Sequence, residues 1–451
     1  MKKNIFIAII LFLFVTEYFA QTELSKEERL SWFNNAKLGI FIHWGIYSVD
    51  GIGASWPMKW KKISWNDYMA QAKGFTAKNY NPNNWAQLFK KAGAKYVVLT
   101  SKHHDGFALW DTKYSLLNAK KYSAAQKDLL KPYAEAMRSA GLKVGFYFSL
   151  LDWSHKDYEV VFDRPQKILE ELYPQPTWQA NLSPRERFLK FVSGQLSELS
   201  HNYRPDIFWF DGGWERSSQW WYAEAIKDSL LTWNNKVIIN DRLPDYGDYE
   251  TAEQGMPILR PKSPWEFCMT LNNHWGYAPN DNNYKPDAQI VRTFVEVLSK
   301  GGNLLLDVGP KSDGTIDVRQ VKMLENLGSW INRNKNFVYE TIAGLPDGHF
   351  YGPTLLSSDS TKIYLALFDT PKDYILLQGI YNKIKKVTLL SNDRTLAFSR
   401  SGGAKWAHIP GILRIETPTE KECDKYVTIV VVELQDKVKL YRGGGKHIEE
   451  N

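Results

Sequence analysis

The chain has 451 residues, a formal charge of +7, 43% apolar and 24% charged residues, the profile of a globular protein with room for one large domain and a smaller second one. The charge is spread along the chain without a basic stripe, nucleic-acid module or heptad repeat, which argues against nucleic acid, and two cysteines far apart, Cys268 and Cys423, exclude a disulfide framework. The 18 Trp, 24 Tyr and 22 Phe are more than a core needs and hint at sugars, whose C–H faces stack on aromatic rings.

Residues 1–20 carry Lys2 and Lys3, the apolar run IFIAIILFLFV and then Ala20 before Gln21, the layout of a secretory signal peptide. The run is short for a spanning helix, and no Cys follows the cleavage site to carry a lipid. The expectation is an exported chain starting at Gln21, periplasmic or extracellular if the source is bacterial, with no stable membrane insertion. Lys2 and Lys3 against Glu17 account for +1 of the +7, which leaves +6 on the mature chain.

From Leu38 to Pro310 short β-branched or aromatic runs alternate with longer amphipathic stretches, as repeated βα units do. Eight strands are predicted, at 38–44, 96–104, 144–150, 207–212, 236–241, 248–253, 265–271 and 302–310. NNWAQLFKKAGA and FLKFVSGQLSELSHNY read as helices before the second and fourth of these. Eight strands with crossover helices make a (β/α)8-type, TIM-like barrel, spanning 21–345 and irregular between Asp241 and Glu253, where no crossover helix is legible. An open doubly wound sheet is the alternative, but no Gly-rich phosphate loop follows the first strand. Beyond Pro346 the runs KIYLALFD, YILLQGI, KKVTLLS, ILRIET and YVTIVVVEL, separated by turn residues, read as an antiparallel β-sandwich over 346–440, followed by a tail at 441–451.

A barrel of this kind builds its site at the C-terminal ends of the strands. His43 ends the first predicted strand, His103 and His104 the second, Asp211 the fourth, Asp241 and Arg242 the fifth, Glu253 the sixth, and Asp307 lies near the end of the eighth. Glycoside hydrolysis needs two carboxyl groups, one to attack the anomeric carbon and one to protonate the leaving oxygen. Asp211, after IFWF and before Gly212-Gly213, fits the first role, the glycines leaving room for a ligand; the competing reading is a helix-capping Asp. Glu253 fits the second as an acid shielded by aromatics, with Glu266, near the start of its strand, as second choice. His43, His103, His104 and Arg242 are expected to bond sugar hydroxyls, against the plainer readings of buried histidines and a structural ion pair. A metal on His103-His104 is not expected, since adjacent strand residues point to opposite faces unless the chain bends; no cofactor is implied.

WFNNAKLGIFIHWGIYSV, KYVVLTSKHHDGFALW, VGFYFSLLDW, FWFDGGW, INDR, WEFCMTLNNHWGY and VLSKGGNLLLDVGPKSDG occur in this order between about Trp32 and Asp313 and together resemble the α-L-fucosidases of glycoside hydrolase family 29. The later sandwich is similar to that family's C-terminal domain. The resemblance implies a retaining exo-enzyme on a fucosylated oligosaccharide or polysaccharide, with Asp211 as nucleophile and Glu253 within TAEQ as acid/base. It further implies His43, His103, His104, Trp209 and Arg242 as sugar-binding residues, with Tyr147 and Trp275 closing the pocket. One departure is that many relatives carry a Glu-Trp-Tyr segment after the first strand, where this chain has SWPMKWKKISWNDYM; Trp65 or Asp67 is the expected replacement. An α-L-galactosidase on the same scaffold is the enzymatic alternative, and a non-catalytic carbohydrate-binding protein the alternative of another class.

Overall fold

The structure is a computed structural model that describes residues 24–174, 176, 179, 181–369 and 371–443. The signal segment and most of the expected tail lie outside the described residues. Eight parallel strands, β1 Leu38–Ile42, β2 Tyr96–Lys102, β3 Lys143–Ser149, β4 Ile207–Asp211, β5 Ile238–Ile239, β6 Glu250–Glu253, β7 Trp265–Met269 and β8 Asn303–Val308, lie in the order β5-β4-β3-β2-β1-β8-β7-β6. A parallel bridge between Asn240 and Tyr249 joins the two ends and closes the sheet into a barrel. Each of the eight predicted strands has an observed counterpart, trimmed at one or both ends or, for β3, shifted by one residue.

Period-two alternation sorts each strand into two environments. Phe41, Tyr96, Val98, Tyr147, Ile207, Trp209, Ile238, Tyr249, Cys268 and Leu305 form one buried cluster inside the barrel, and Leu30, Phe33 and Ala36 from the N-terminal segment join it. Their neighbours Ile40, Leu99, Phe146, Phe208 and Leu306 belong to the larger core shared with the helices. The interior is crowded by aromatics, and Gly39 is there because a Cβ would come within 2.3 Å of the Tyr96 ring.

The helices start where capping chemistry dictates. In Pro82–Ala92 the Asn81 side chain accepts from the Asn84 N–H, Pro82 occupies the first turn, and Gly93 ends the helix at φ +94°. In Pro184–Tyr203 Ser183 and Glu186 form a capping box. Among the described residues no helix lies between β5 and β6 or between β6 and β7, so the irregularity expected after Asp241 is present.

Beside the bridge between Asn240 and Tyr249, the Asp248 side chain holds the seam. β5 has two residues, and the Ile239 N–H donates to the Asp248 carboxylate at 3.0 Å while the Ile239 carbonyl accepts from the Asp248 N–H at 2.7 Å. Asp248 is fully buried, and Arg29 neutralises it through two bonds of 2.6 and 2.8 Å, with Lys227 at 3.4 Å.

A five-stranded antiparallel sheet, in the order β13-β16-β11-β10-β9, faces a three-stranded one, β12-β15-β14. They comprise β9 Thr341–Ala343, β10 Thr354–Ser357, β11 Lys362–Leu367, β12 Tyr374–Leu377, β13 Ile384–Leu389, β14 Phe398–Ser401, β15 Ile412–Glu416 and β16 Thr428–Leu434. The inner faces meet in a core of Ile363, Leu365, Ile375, Leu377, Val387, Leu413, Ile415, Val430 and Val432. The larger sheet packs on the barrel's last crossover helix, Asp287–Ser299, where Arg292 donates to the Tyr426 carbonyl at 3.2 Å and Tyr426 donates to Asp287 at 3.1 Å.

Candidate active site

Asp211, Arg242 and Glu253 meet at the C-terminal rim of the closing seam. Asp211 is the last residue of β4, Arg242 follows β5 and Glu253 ends β6, so three neighbouring strand ends present them side by side. One guanidinium bonds both carboxylates, Nη1 donating to Asp211 Oδ1 at 2.6 Å and Nη2 to Glu253 Oε2. The other Asp211 oxygen accepts from the Tyr147 hydroxyl at 2.8 Å. Burial and the neighbouring Asp211 push the Tyr147 hydroxyl well above its usual pKa, so it stays a donor. Asp211 is thus a fixed carboxylate rather than a helix cap, and it is held in place through both oxygens.

Gly212 and Gly213 serve the protein rather than a ligand. A Cβ on Gly213 would meet the Arg242 carbonyl at 2.2 Å, and one on Gly212, at φ +80°, would strike Leu151. The pair lets the turn after β4 run against the Arg242 backbone, which is what brings the guanidinium over Asp211. The room expected for a sugar beside the glycines is filled by neighbouring chain.

Three imidazoles face the carboxylate. β2 has a register irregularity between Thr100 and Lys102 and ends there, so the chain bends and both His103 and His104 turn to the pocket, their rings 4.3 Å apart. Each pocket histidine is tied through Nδ1 to a partner: His43 to Asp307 at 2.7 Å, His103 to Ser55 at 2.6 Å, His104 to Ser149 at 2.7 Å. Burial lowers the pKa of all three well below the usual histidine value, with His103 adding to the effect on His43 and His104 to that on His103, so they are neutral. Ser149 donates its own proton to the Leu151 carbonyl, so its oxygen accepts from His104 Nδ1–H. The remaining lone pair of His104, on Nε2, lies 3.5 Å from Asp211 Oδ2, and this buried nitrogen has no hydrogen-bond partner. Among the described residues no group of three potential ligands could hold a metal ion.

Aromatic faces complete the walls. Trp275 lies over His43, ring centroids 5.0 Å apart, and Tyr147 stacks on His103 at 5.2 Å and on Trp209 at 5.6 Å. Arg242 sits 4.7 Å above the Trp209 ring. Trp56, from the segment after β1, sets its edge against His104 at 5.2 Å. Neither expected replacement in that segment reaches the pocket: Trp65 donates to Ser154 at 2.8 Å, and Asp67 bonds Ser64 within its own helix cap. Ser55 and Trp56 are the residues of the segment that engage it, through His103 and His104.

The two candidate acids separate by depth. The Glu253 side chain is 36% exposed and bonded to Arg242, not shielded by aromatics as the sequence suggested. Glu266 is fully buried; its register partner, Thr251, lies two residues before Glu253, roughly 7 Å deeper along the strand. There it accepts from Trp209 Nε1 at 2.8 Å and from the Tyr96 hydroxyl, and burial raises its pKa to about 7. Glu266 supports Trp209 from beneath and makes no hydrogen bond to Asp211 or Arg242 among the described residues.

Asp307, Ser55 and Ser149 are the residues for which sequence reading found no role. For Asp307 the signal was its place near the end of the eighth strand; for the serines there was none.

The model of the α-L-fucosidase family matches residues 15–336. The human plasma α-L-fucosidase is 33% identical over 354 residues, covering 70% of this chain and 71% of its own. Among solved structures, α-L-fucosidase isoenzyme 1 from Paenibacillus thiaminolyticus superposes with a TM-score of 0.80 at 33% identity, covering 91% of this chain and 100% of its own. The Thermotoga maritima α-fucosidase in complex with a mechanism based inhibitor has a TM-score of 0.72 at 30% identity, covering 90% and 98%.

Proposed function

The chain belongs to the α-L-fucosidase family of glycoside hydrolases, and on that premise we propose that it releases terminal α-L-fucosyl residues from glycans by a retaining double displacement. The observation that carries this reading is the single guanidinium shared by Asp211 and Glu253. Retaining enzymes keep their two carboxyl groups about 5–5.5 Å apart, and one arginine bonded to both sets this pair side by side at the same rim. Membership of a hydrolase family also sets aside the reading of a binding protein without turnover.

Asp211 attacks the anomeric carbon while the leaving oxygen takes a proton from Glu253, giving a glycosyl ester on Asp211 and a free alcohol. Water then attacks the same carbon, gives its proton to Glu253 and releases Asp211. The two inversions leave the configuration unchanged. Tyr147 and Arg242 aim the nucleophile, so little of its freedom must be lost on the way to the transition state. A sugar hydroxyl that enters beside Asp211 finds the His104 lone pair as acceptor, while Asp307 and Ser55 keep His43 and His103 in place. Trp275 covers the ring.

Comparing an aryl α-L-fucoside with an aryl α-L-galactoside tests the substrate. The two sugars differ by one hydroxyl, which an apolar pocket discriminates by about 10²-fold at most. We expect the fucoside to be preferred and Asp211→Ala to lose turnover on both; preference for the galactoside would keep the mechanism and change the substrate. NMR of the first-formed product should show the anomer that was cleaved, and an inverted product would overturn the double displacement. Export is part of the same proposal, supported by Lys2, Lys3 and the apolar run after them. N-terminal sequencing of the mature enzyme should begin at Gln21, and a mature chain that keeps Lys2 and Lys3 would contradict it.

A further inference from the structure

We propose that Trp214 and Trp60 form a leaving-group subsite, a pair of aromatic platforms that grips the sugar ring next to the fucose, so that the enzyme is built for oligosaccharide rather than small-aglycone fucosides. The proposal rests on the fucosidase reading and adds to it the chemical class of the leaving group.

The leaving oxygen departs on the side of the acid, so whatever is attached to it lies beyond Glu253 and Arg242. Trp214 stands at that place. It is three residues after Asp211, its ring lies 5.7 Å from the Arg242 guanidinium, and it is 57% exposed, an unusual condition for the largest apolar side chain. Its neighbours are fixed, since Trp221 Nε1 donates to the Gly213 carbonyl at 2.9 Å and Glu215 accepts from the Tyr158 hydroxyl at 2.6 Å. The indole is therefore offered to solvent from a pinned turn rather than left on a loose one.

Trp60 extends the wall on the histidine side. It is 58% exposed and stacks on Trp56, 5.8 Å away at 26°, and Trp56 in turn sets its edge against His104. The residues next to the two exposed tryptophans are joined, Lys59 to Glu215 at 3.3 Å, so the turn after β4 and the segment after β1 are tied together across the mouth. Aromatic faces with charged and hydroxyl groups at their edges suit a pyranose, which offers an apolar C–H face and a rim of hydroxyls.

The test compares α-L-fucosyl fluoride, whose leaving group is one atom, with the fucosyl disaccharide that the wild-type enzyme cleaves best. The readout is the ratio of kcat/KM for the disaccharide to that for the fluoride. We expect Trp214→Ala to lower this ratio about tenfold, Trp60→Ala to lower it several-fold, and Trp214→Phe to restore most of it, the size of one lost aromatic contact. A ratio within about twofold of wild type in both alanine variants would overturn the subsite. Trp60 touches neither carboxylate nor Arg242, so Trp60→Ala decides the matter if Trp214→Ala does not fold. A wild-type enzyme that leaves the fluoride intact would instead contradict the hydrolytic reading itself, so the two failures are told apart.

Discussion

The pocket imidazoles owe their orientation to partners remote in the chain. His43 and Asp307 are 264 positions apart, His103 and Ser55 are 48, and His104 and Ser149 are 45. Asp307→Ala removes the only anchor on His43 Nδ1 among the described residues, and an imidazole displaced by about 1 Å costs about 10²-fold in kcat/KM. Unchanged kinetics in that variant would mean that packing against Phe41 and Trp275 alone sets the ring. The acids can be separated in the same way. Glu253→Gln should lower kcat/KM on a glycan fucoside by about 10²–10⁴-fold and on an activated aryl fucoside much less, because a good leaving group needs no proton. Glu266→Gln should keep most of the activity on both, since an amide can accept from Trp209 and donate to Tyr96; a leaving-group-dependent loss in this variant would return the acid role to Glu266. That Asp211, Arg242 and Glu253 would meet was legible because all three stand at or just after strand ends, which a barrel gathers at one rim. Ser55 and Ser149 were not, because a serine in a loop carries no mark of the histidine it will meet.

At the scale of elements, the proposed site sits at the weakest pairing in the barrel. β5 and β6 join by one bridge, and the Asp248 carboxylate stands in for a missing ladder partner. Arg29→Ala leaves that buried carboxylate with Lys227 as its one remaining cation among the described residues, and removal of one partner of a buried pair costs about 3–5 kcal/mol. Denaturant unfolding should register a loss of that size, with weakened turnover, since Arg242 follows β5 directly. A loss under about 1 kcal/mol would mean that Lys227 suffices. Alternation and length made the eight strands legible, and the missing helix after β5 followed from Gly, Pro and Asn in that stretch. The bend after Lys102 was not legible, because nothing local distinguishes two histidines on one face from two on opposite faces. β9, β10 and β14, each of three or four residues, were too short to stand out as runs.

For the whole molecule, burying so many titratable groups sets a stability optimum near neutrality. The histidines have folded pKa values depressed by burial, so the unfolded chain binds more protons as the pH falls below about 6.5, and stability declines on that side. Glu266 and Asp105 behave oppositely: burial raises each to about 7, so their contribution is full below the unfolded pKa near 4 and is lost as the pH rises through 7. Tm should therefore pass through a maximum, and Glu266→Gln, which cannot ionise, should gain on the wild type as the pH rises from about 4 to about 7 and keep that gain above it, by roughly 3 kcal/mol at most. A variant that loses ground at high pH would contradict the burial account. That a sandwich follows the barrel was legible as a change of pattern, though its first strand, β9 Thr341–Ala343, lies ahead of Pro346. Their packing through Asp287–Ser299 was not, since that helix reads from sequence as one more crossover.

The most direct test of the account is to trap the intermediate with 2-fluoro-fucosyl fluoride and map the labelled peptide by mass spectrometry. A single adduct is expected on Asp211 in the peptide that contains IFWFDGGW, accumulating further in Glu253→Gln and absent in Asp211→Ala. An adduct on another carboxylate, or steady turnover with an inverted product and no adduct, would contradict it.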